Sequence, residues 1–168
     1  MDRQEEVKIK VFRVIEEQWP LAAFEAWLYD QNDLADQMND SLILELFAFN
    51  YRHEGALHAF RDVMLHYYDQ KDFMLWKLKV NLQDLIDGKD SQDRILRDFL
   101  RMSYSELPFL QNLGFYVYYF EDLEYAGLSK KEMITRLKED ATVLLRAITT
   151  EQAKNPNFDI YKFELRSN

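Results

Sequence analysis

Two histidines and two aspartates are spaced so that a helix would bring them to one side. His58, Asp62, His66 and Asp69 follow one another at intervals of four, four and three residues, and side chains three or four residues apart are neighbours on a helix. Imidazole nitrogens and carboxylate oxygens are ligands for divalent cations such as Zn²⁺. One hypothesis is therefore a helical-bundle metal-binding protein or enzyme that uses these four residues.

An apolar stripe on the same segment argues for a different interpretation. Leu57, Phe60, Met64 and Tyr67 recur at helical spacing, and such a stripe faces the core of a protein. The histidines and aspartates lie on the other side, where charge pairs four residues apart stabilise a helix by about a few tenths of a kcal/mol. The Glu-x-x-His pairs of di-iron bundles do not occur in the sequence. A solvated helix face is favoured, and we predict no metal site and no cofactor.

Other signatures of catalysis are missing from the sequence. It contains neither a G-x-G-x-x-G nor a G-x-x-x-x-G-K phosphate loop, and no G-x-S-x-G nucleophile turn. Cysteine is absent, which excludes disulfides, thiolate zinc sites and cysteine nucleophiles. We therefore predict that the protein is not an enzyme.

The negative charge of the chain is concentrated in one segment. The formal net charge is −9, and residues 14–51 contain eight acidic residues without a lysine or arginine. A nucleic-acid partner is not expected, because phosphate binding needs clustered basic side chains. Crowded like charges cost stability, and one reason to retain them is that they steer a basic partner. The predicted contact residues here are Glu16, Glu17, Glu25, Asp30, Asp33, Asp36 and Asp40, with Tyr29 beside them.

A second stretch without basic residues combines acidic and aromatic side chains. Residues 102–129 contain no lysine or arginine and are rich in tyrosine and phenylalanine. Tyrosine is enriched in binding hot spots, but a tyrosine can equally bury its ring in the core and keep its hydroxyl at the surface. The core interpretation is slightly favoured for this stretch. Its candidate contact residues are Tyr118, Tyr119, Glu121, Asp122 and Glu124.

Apolar residues at helical spacing recur through most of the chain. A Ser-x-x-Glu capping box at Ser129 and Glu132 predicts the start of a helix, and Gly88 stands where a helix end favours a left-handed residue. The segment 42–49 is apolar almost all round, which predicts an interior helix. The predicted stripes are Leu21, Phe24 and Leu28; Leu75, Leu78, Leu82 and Leu85; Ile95, Phe99 and Met102; and Ile134, Leu137, Ala141, Leu144 and Ile148.

Residues 106–125 give a less regular pattern. Pro108 fits a helix only in its first turn, with Ser103 or Ser105 as the N-cap. Gly114 would then lie inside the helix and cost about 1 kcal/mol relative to alanine, unless a neighbouring backbone packs closely there.

The two ends of the chain are ambiguous between helix and strand. Residues 7–11 alternate like a strand, but Val7, Val11 and Val14 also fit one helix face, and we predict a helix. Residues 158–165 alternate in a similar way, and their structure stays open.

Composition sets the fold class that these segments must build. The chain has 168 residues with only four glycines and three prolines, which leaves little room for the tight turns of an all-β protein. We predict an all-α fold, a single domain over residues 1–168 that forms a bundle of about seven to eight helices, with a short strand-like segment at either end as an option. The sequence shows no targeting signal and no apolar run of about 20 residues. A cytoplasmic protein that does not bind membranes is expected.

Three segments together resemble a known class of protein. They are FEAWLY at residues 24–29, LILEL at residues 42–46 leading into Asn50-Tyr51, and FMLWKL at residues 73–78. The pattern is similar to that of small helical immunity proteins of bacterial polymorphic-toxin systems, including contact-dependent inhibition systems. The likeness covers roughly residues 20–88 and rests on aromatic and aliphatic positions.

The resemblance implies a stoichiometric inhibitor without catalysis. Such a protein binds its cognate toxin domain tightly and covers or distorts the active site. Many of these toxins are nucleases with basic sites, for which an acidic, aromatic-rich surface would substitute for the phosphate backbone. Glu25, Trp27 and Tyr29 match the pattern, and the acidic side chains around Trp27 are preferred to its ring as contact residues. An adaptor for a basic peptide is an alternative that differs only in the partner.

Overall fold

A computed structural model describes residues 2–38 and 40–166 of the chain. These residues form α-helices and two short 3₁₀ turns, without a β-strand among them. The predicted all-α class is therefore confirmed. The backbone contacts fall into two compact units, Met1–Phe73 and Met74–Asn168, and each is described by itself. A single domain over residues 1–168 stays a prediction.

Five complete helices and the start of a sixth build the first unit. The segment predicted from Val7, Val11 and Val14 is helical, and all three valines are buried. The helices are α1 (Arg3–Ile15), α2 (Leu21–Asp30), α3 (Leu34–Gln37), α4 (Ser41–Ala48), α5 (Ala56–Tyr67) and α6 (Gln70–Asp87), of which residues 74–87 belong to the second unit.

Aromatic rings fill the core of the first unit. Phe24 on α2 meets Phe60 on α5 with ring centroids 5.3 Å apart, and Phe60 also meets Phe49 at 5.5 Å. Phe12 on α1 contacts Phe73 at 5.2 Å. Edge-to-face pairs of this kind add about 0.5–1.5 kcal/mol each beyond the area that they bury. Helical spacing had placed Phe24 and Phe60 inside, whereas Phe12 and Phe73 were not among the predicted core residues.

Two apolar stretches of the first unit are less buried than predicted. In α4, Ile43 and Leu46 are buried, but Leu44 is 66% exposed, so the prediction of an interior helix is wrong for one of its faces. In α5, Phe60 and Met64 are fully buried while Tyr67, at the C-terminal end, is 39% exposed. Apolar composition alone does not decide burial, because a short helix at the edge of a unit has neighbours on only one side.

The second unit continues α6 and adds a long C-terminal helix. The segments predicted around Ile95 and after Ser129 are both helical. The remaining elements are α7 (Gln92–Ser103), a 3₁₀ turn (Pro108–Leu110), α8 (Gln111–Gly114), α9 (Tyr116–Glu121), α10 (Leu123–Ala126), α11 (Lys130–Lys154) and a second 3₁₀ turn (Ile160–Lys162).

Most sequence signals in the second unit are confirmed. Ser129 and Glu132 form the reciprocal capping box that starts α11, and Gly88 follows the end of α6 with φ of 70°. The open C-terminal segment contains a 3₁₀ turn. No helix in the described part of the chain is long and apolar enough to cross a bilayer. The stripe residues that are buried here are Leu78, Leu82, Leu85, Ile95, Phe99, Met102, Leu137, Ala141, Leu144 and Ile148.

The predicted cap of the segment after Glu106 is wrong. Pro108 does open a helical turn, but this turn is 3₁₀ and its N-cap residue is Leu107, without a side-chain hydrogen bond. Ser103 lies in the last turn of α7, where its hydroxyl donates to the carbonyl of Leu100 at 2.7 Å. A β-carbon on Gly114 would lie 2.6 Å from the Cα of Leu100. The close backbone approach that would justify a glycine is thus present, between α8 and α7.

Candidate functional site

Tyr29 and Leu44 are large hydrophobic side chains of the first unit that are exposed to solvent. Tyr29 is 54% exposed near the end of α2, and its hydroxyl donates to the carbonyl of Phe47 on α4 at 3.3 Å. The rings of Tyr29 and Phe47 meet edge to face at 5.6 Å. Leu44 lies one turn before Phe47 on α4, and side chains three residues apart on a helix are neighbours. We call the exposed residues Tyr29, Asp30, Asp33, Asp36 and Leu44, which belong to α2, α3, α4 and the turn between α2 and α3, the α2–α4 surface.

Tyr51 fixes α4 from below this surface. Its ring is buried against Phe24 and Phe60, and its hydroxyl donates to the carbonyl of Leu46 at 2.7 Å. Burial, followed by the proximity of Tyr29 and Glu25, raises the pKa of Tyr51. The hydrogen bond joins Tyr51 to the C-terminal half of α4, the helix that contains Leu44.

Three of the predicted carboxylates have basic partners from other segments of the first unit. Glu17 lies 4.0 Å from Arg61, Glu25 lies 3.7 Å from Arg52, and Asp33 lies 3.9 Å from Arg3. These distances are long for hydrogen-bonded pairs, and exposed pairs of this kind are worth about 0–1 kcal/mol. The charge of the segment is thus partly balanced by basic side chains, and Asp33 also accepts a hydrogen bond from the side chain of Gln37.

Other carboxylates of the segment differ in role. Asp40 is the N-cap of α4 and accepts a hydrogen bond from the backbone of Ile43 at 3.0 Å. It therefore stabilises the start of this helix. Glu16 is half-buried at the end of α1. Asp30 and Asp36 are exposed, and no basic side chain within residues 2–38 and 40–166 lies within 4.0 Å of either carboxylate. These two are the free anions of the α2–α4 surface.

In the second unit, two of the candidate carboxylates also have structural roles. Glu121 pairs with Arg97 at 3.0 Å, and Arg97 also pairs with Asp93 at 2.9 Å. Asp122 is the N-cap of α10 and accepts from the backbone of Tyr125 at 3.0 Å. Glu124 is exposed. This stretch is therefore less available to a partner than the charge pattern indicates.

The tyrosines of the second unit divide between core and surface. Tyr116 is buried and donates its hydroxyl to Asp140 on α11, and burial followed by this hydrogen bond raises its pKa. Tyr118 and Tyr119 on α9 are 52% and 39% exposed. Tyr125 on α10 is 87% exposed and was not among the predicted contact residues. The core interpretation thus holds for Tyr116 but not for its neighbours on α9.

The four residues of the metal hypothesis remain on the exposed side of α5 and just beyond it. His58 Nε2 lies 3.4 Å from Asp62 Oδ2, with both side chains more than half exposed. His66 contacts the backbone carbonyl of Asp62 through Nδ1 at 2.6 Å, and Asp69 accepts from the backbone of Lys71 at 2.7 Å. Within the described ranges, no three histidine, aspartate or glutamate side chains converge as metal ligands would. The geometry gives the metal hypothesis no support.

Trp27, which matches the immunity-protein pattern, is neither core nor freely exposed. It is half-buried and stands beside Trp19, with ring centroids 6.3 Å apart. The ammonium of Lys10 on α1 lies 4.7 Å from the centre of its ring. The indole is therefore part of a contact between α1, α2 and the segment that joins them.

Comparison with known proteins gives no relative for this chain. No protein-family model, no curated protein and no solved structure matches it. The candidate site therefore rests on the geometry of these residues alone.

Sequence reasoning missed Leu44 because it treated residues 42–49 as uniformly interior. A signal was present: Ser41, Leu44 and Ala48 follow one another at helical spacing, and all three are exposed. Ser41 is polar and Ala48 adds little apolar area, so this line of the helix is less apolar than the other side of α4.

Proposed function

We propose that the chain is a non-catalytic binding protein of the immunity type, which neutralises a cognate bacterial toxin domain in the cytoplasm through its α2–α4 surface. The observation that supports this most directly is that consecutive short helices of the first unit expose two unlike kinds of side chain. Tyr29 and Leu44 expose apolar area, and Asp30 and Asp36 are exposed without basic partners among the described residues.

The carboxylates and the apolar side chains would affect different steps of binding. Free carboxylates attract a cationic surface and raise the rate of association. Aromatic and aliphatic side chains that become fully buried hold the complex and slow its dissociation. Tyr29 is suited to the second task, because its contact with Phe47 orders the ring before a partner arrives and lowers the entropy lost on binding.

A toxin domain that acts on nucleic acid fits this surface by its charge. Such a domain needs basic side chains to hold phosphate, and the carboxylates of Asp30, Asp33 and Asp36 offer the same charge to those side chains. The inhibitor would then occupy the place of the substrate, and no chemistry by the inhibitor is required.

The test begins with co-expression of the chain and the products of its neighbouring genes, and uses the partner that co-elutes in a stoichiometric complex. Lysine at positions 30, 33 and 36 together should slow association at least about tenfold at low salt and flatten its dependence on salt. Stopped-flow mixing measures both quantities, and circular dichroism checks that the helices persist.

A matched control reverses three exposed carboxylates of the second unit, Asp87, Asp90 and Glu139. It changes the net charge by the same amount, so it should reproduce only the part of the effect that follows from net charge. Equal slowing by both triple variants, or an unchanged rate in the first, would remove the α2–α4 surface from the interface. Failure of every neighbouring product to bind would overturn the immunity proposal itself.

Leu44→Ser tests the apolar half of the same surface. Leu44 is exposed in the free protein, so the substitution should leave the melting temperature within about 2 °C. Dissociation of the complex should accelerate at least about tenfold, because loss of a buried anchor acts mainly on that rate. The control is Val143→Ser, which removes a similarly exposed apolar side chain from α11.

A further inference from the structure

An ammonium group in the first unit lies over two indole rings that contact each other. Lys10 Nζ on α1 is 4.6 Å from the ring centre of Trp19 and 4.7 Å from that of Trp27 on α2. Both distances are within the roughly 6 Å over which a ring face attracts a cation. The two rings and this nitrogen form one arrangement, which we call the tryptophan clamp.

The rings attract the cation of Lys10 without help from a carboxylate. Within residues 2–38 and 40–166, no aspartate or glutamate oxygen lies within 4.0 Å of Lys10 Nζ, whereas the neighbouring Lys8 pairs with Glu5 at 2.6 Å. The immediate partners of the Lys10 ammonium are therefore aromatic. Two ring faces around one ammonium is the arrangement by which proteins recognise alkylated ammonium ligands.

The clamp is firmly supported on one side and open on the other. Phe24, fully buried, stands behind both rings, with centroids 6.0 Å from Trp19 and 5.7 Å from Trp27. Trp19, Trp27 and Lys10 are all half-buried, so solvent reaches the clamp. The rings contact the core through Phe24, while the ammonium over them is held by the long, flexible side chain of Lys10.

Both tryptophans belong to the segment of the chain that contains no basic residue. Residues 14–51 contain eight carboxylates and no lysine or arginine, so the cation in the clamp has to come from outside this segment. In the free protein it comes from α1. A cation from another molecule would meet the same two ring faces.

We propose that Trp19 and Trp27 form a binding site for an organic ammonium group, that Lys10 occupies this site in the free protein, and that an external ammonium takes its place. The ligand is either the side chain of a lysine or a quaternary ammonium group, since both present a cation to the ring faces. This inference goes beyond the proposed function and does not depend on it.

The test is a fluorescence titration of the full chain in a Trp76→Phe background, which leaves only the two clamp tryptophans. The probes are n-butylammonium, which copies a lysine side chain, and tetramethylammonium, with sodium chloride at equal ionic strength as the salt control. In Lys10→Ala the fluorescence change should saturate at a concentration at least about fivefold lower than in the parent, because the competing cation has been removed.

Two matched variants separate this effect from a general change of charge. Lys8→Ala removes the neighbouring lysine of α1 and should titrate like the parent, and Lys10→Arg keeps a cation in the clamp and should also titrate like it. Trp27→Leu in the Lys10→Ala background should abolish saturation, while its circular dichroism reports whether the helices remain.

Each outcome decides the proposal. Saturation by n-butylammonium identifies a lysine side chain as the ligand, and saturation by tetramethylammonium alone identifies a quaternary ammonium group. Titrations of Lys10→Ala that match the parent, or that match sodium chloride, would overturn the site. The small probes need no protein partner, so this result is independent of whether the α2–α4 surface binds a toxin domain.

Discussion

Lys77 on α6 and Asp98 on α7 form an ion pair, with 2.9 Å between Nζ and Oδ2, inside the second unit. Their side chains are only 10% and 18% exposed. Arg101, one turn further along α7, contacts the other carboxylate oxygen at 2.5 Å. A carboxylate that is bound on both oxygens joins two helices and leaves little of its charge uncompensated.

Asp98→Asn should lower the free energy of unfolding by about 3 kcal/mol, because it removes the carboxylate charge from an ion pair whose two side chains are almost buried. Urea denaturation followed by circular dichroism measures the change. Asp93→Asn is the control on the same helix, since its exposed pair with Arg97 should be worth less than about 1 kcal/mol. Equal losses in both variants would show that burial adds nothing to the Lys77–Asp98 pair.

The same carboxylate should make stability depend on acid pH. Burial alone would raise the pKa of Asp98, but hydrogen bonds from Lys77 and Arg101 outweigh it and hold this pKa below its ordinary value of 3.8. A group with a lowered folded pKa stabilises the fold above its unfolded pKa, and this contribution disappears as the pH falls through the folded value.

Wild type and Asp98→Asn should therefore differ by a constant free energy of unfolding above about pH 5, and the difference should shrink progressively below about pH 4. Urea titrations at several pH values between about 3 and 7 give the curve. A difference that stays constant down to about pH 3 would mean that the pKa of Asp98 is not lowered by folding.

Glu17 has a backbone conformation that normally favours glycine. It follows the end of α1 with φ of 57°, while Gln18 donates to the carbonyl of Arg13 at 2.8 Å and Glu17 to that of Val14 at 3.0 Å. This is the hydrogen-bond pattern of a helix end that usually places glycine at the left-handed position. A glutamate there costs about 1 kcal/mol in backbone strain.

Glu17→Gly should raise the free energy of unfolding by about 0.5–1 kcal/mol, since glycine adopts this conformation without strain. Glu17→Ala is the matched control: it removes the same carboxylate and its 4.0 Å contact with Arg61 but keeps the strain, and it should give no gain. If alanine stabilises as much as glycine, repulsion between carboxylates and not the backbone is the cause.

The fold class and most of the core could be predicted from spacing alone. Phe60, Phe99 and Leu137 were placed inside by helical periodicity, and all three are fully buried. The capping box at Ser129 was equally reliable, because its two hydrogen bonds lie within one turn and depend on no distant residue. Local patterns thus predicted most of the helices and, for the long ones, most of the side chains that pack inside.

Side-chain exposure and ion pairing could not be predicted from the sequence where they depend on residues that are distant in the chain. Leu44 is exposed because no other helix in the part of the chain that the structure describes covers that side of α4, which the composition of residues 42–49 does not reveal. The contacts of Glu17, Glu25 and Asp33 come from Arg61, Arg52 and Arg3, each at least 27 positions away. Charge counted along the chain therefore overstated the free charge of the surface.

Gly114 lowers the helix propensity of its segment, and the reason for a glycine there is its close contact with α7. It ends α8, and a β-carbon there would lie 2.6 Å from the Cα and 2.7 Å from the backbone nitrogen of Leu100 on α7. Backbone atoms cannot rotate away as the end of a side chain can, so the two helices would have to separate. Gly114→Ala should therefore lower the free energy of unfolding by about 2–3 kcal/mol, although alanine is the better helix former.

Thermal and urea denaturation of Gly114→Ala measure this loss, and Gln111→Ala is the control within the same short helix. Gln111 is exposed, so its substitution should change stability by less than about 0.5 kcal/mol. Stabilisation by alanine at position 114 would show that α7 and α8 do not approach as closely as 2.6 Å implies. The glycine would then be only a poor helix former, and the contact between the two helices would need another explanation.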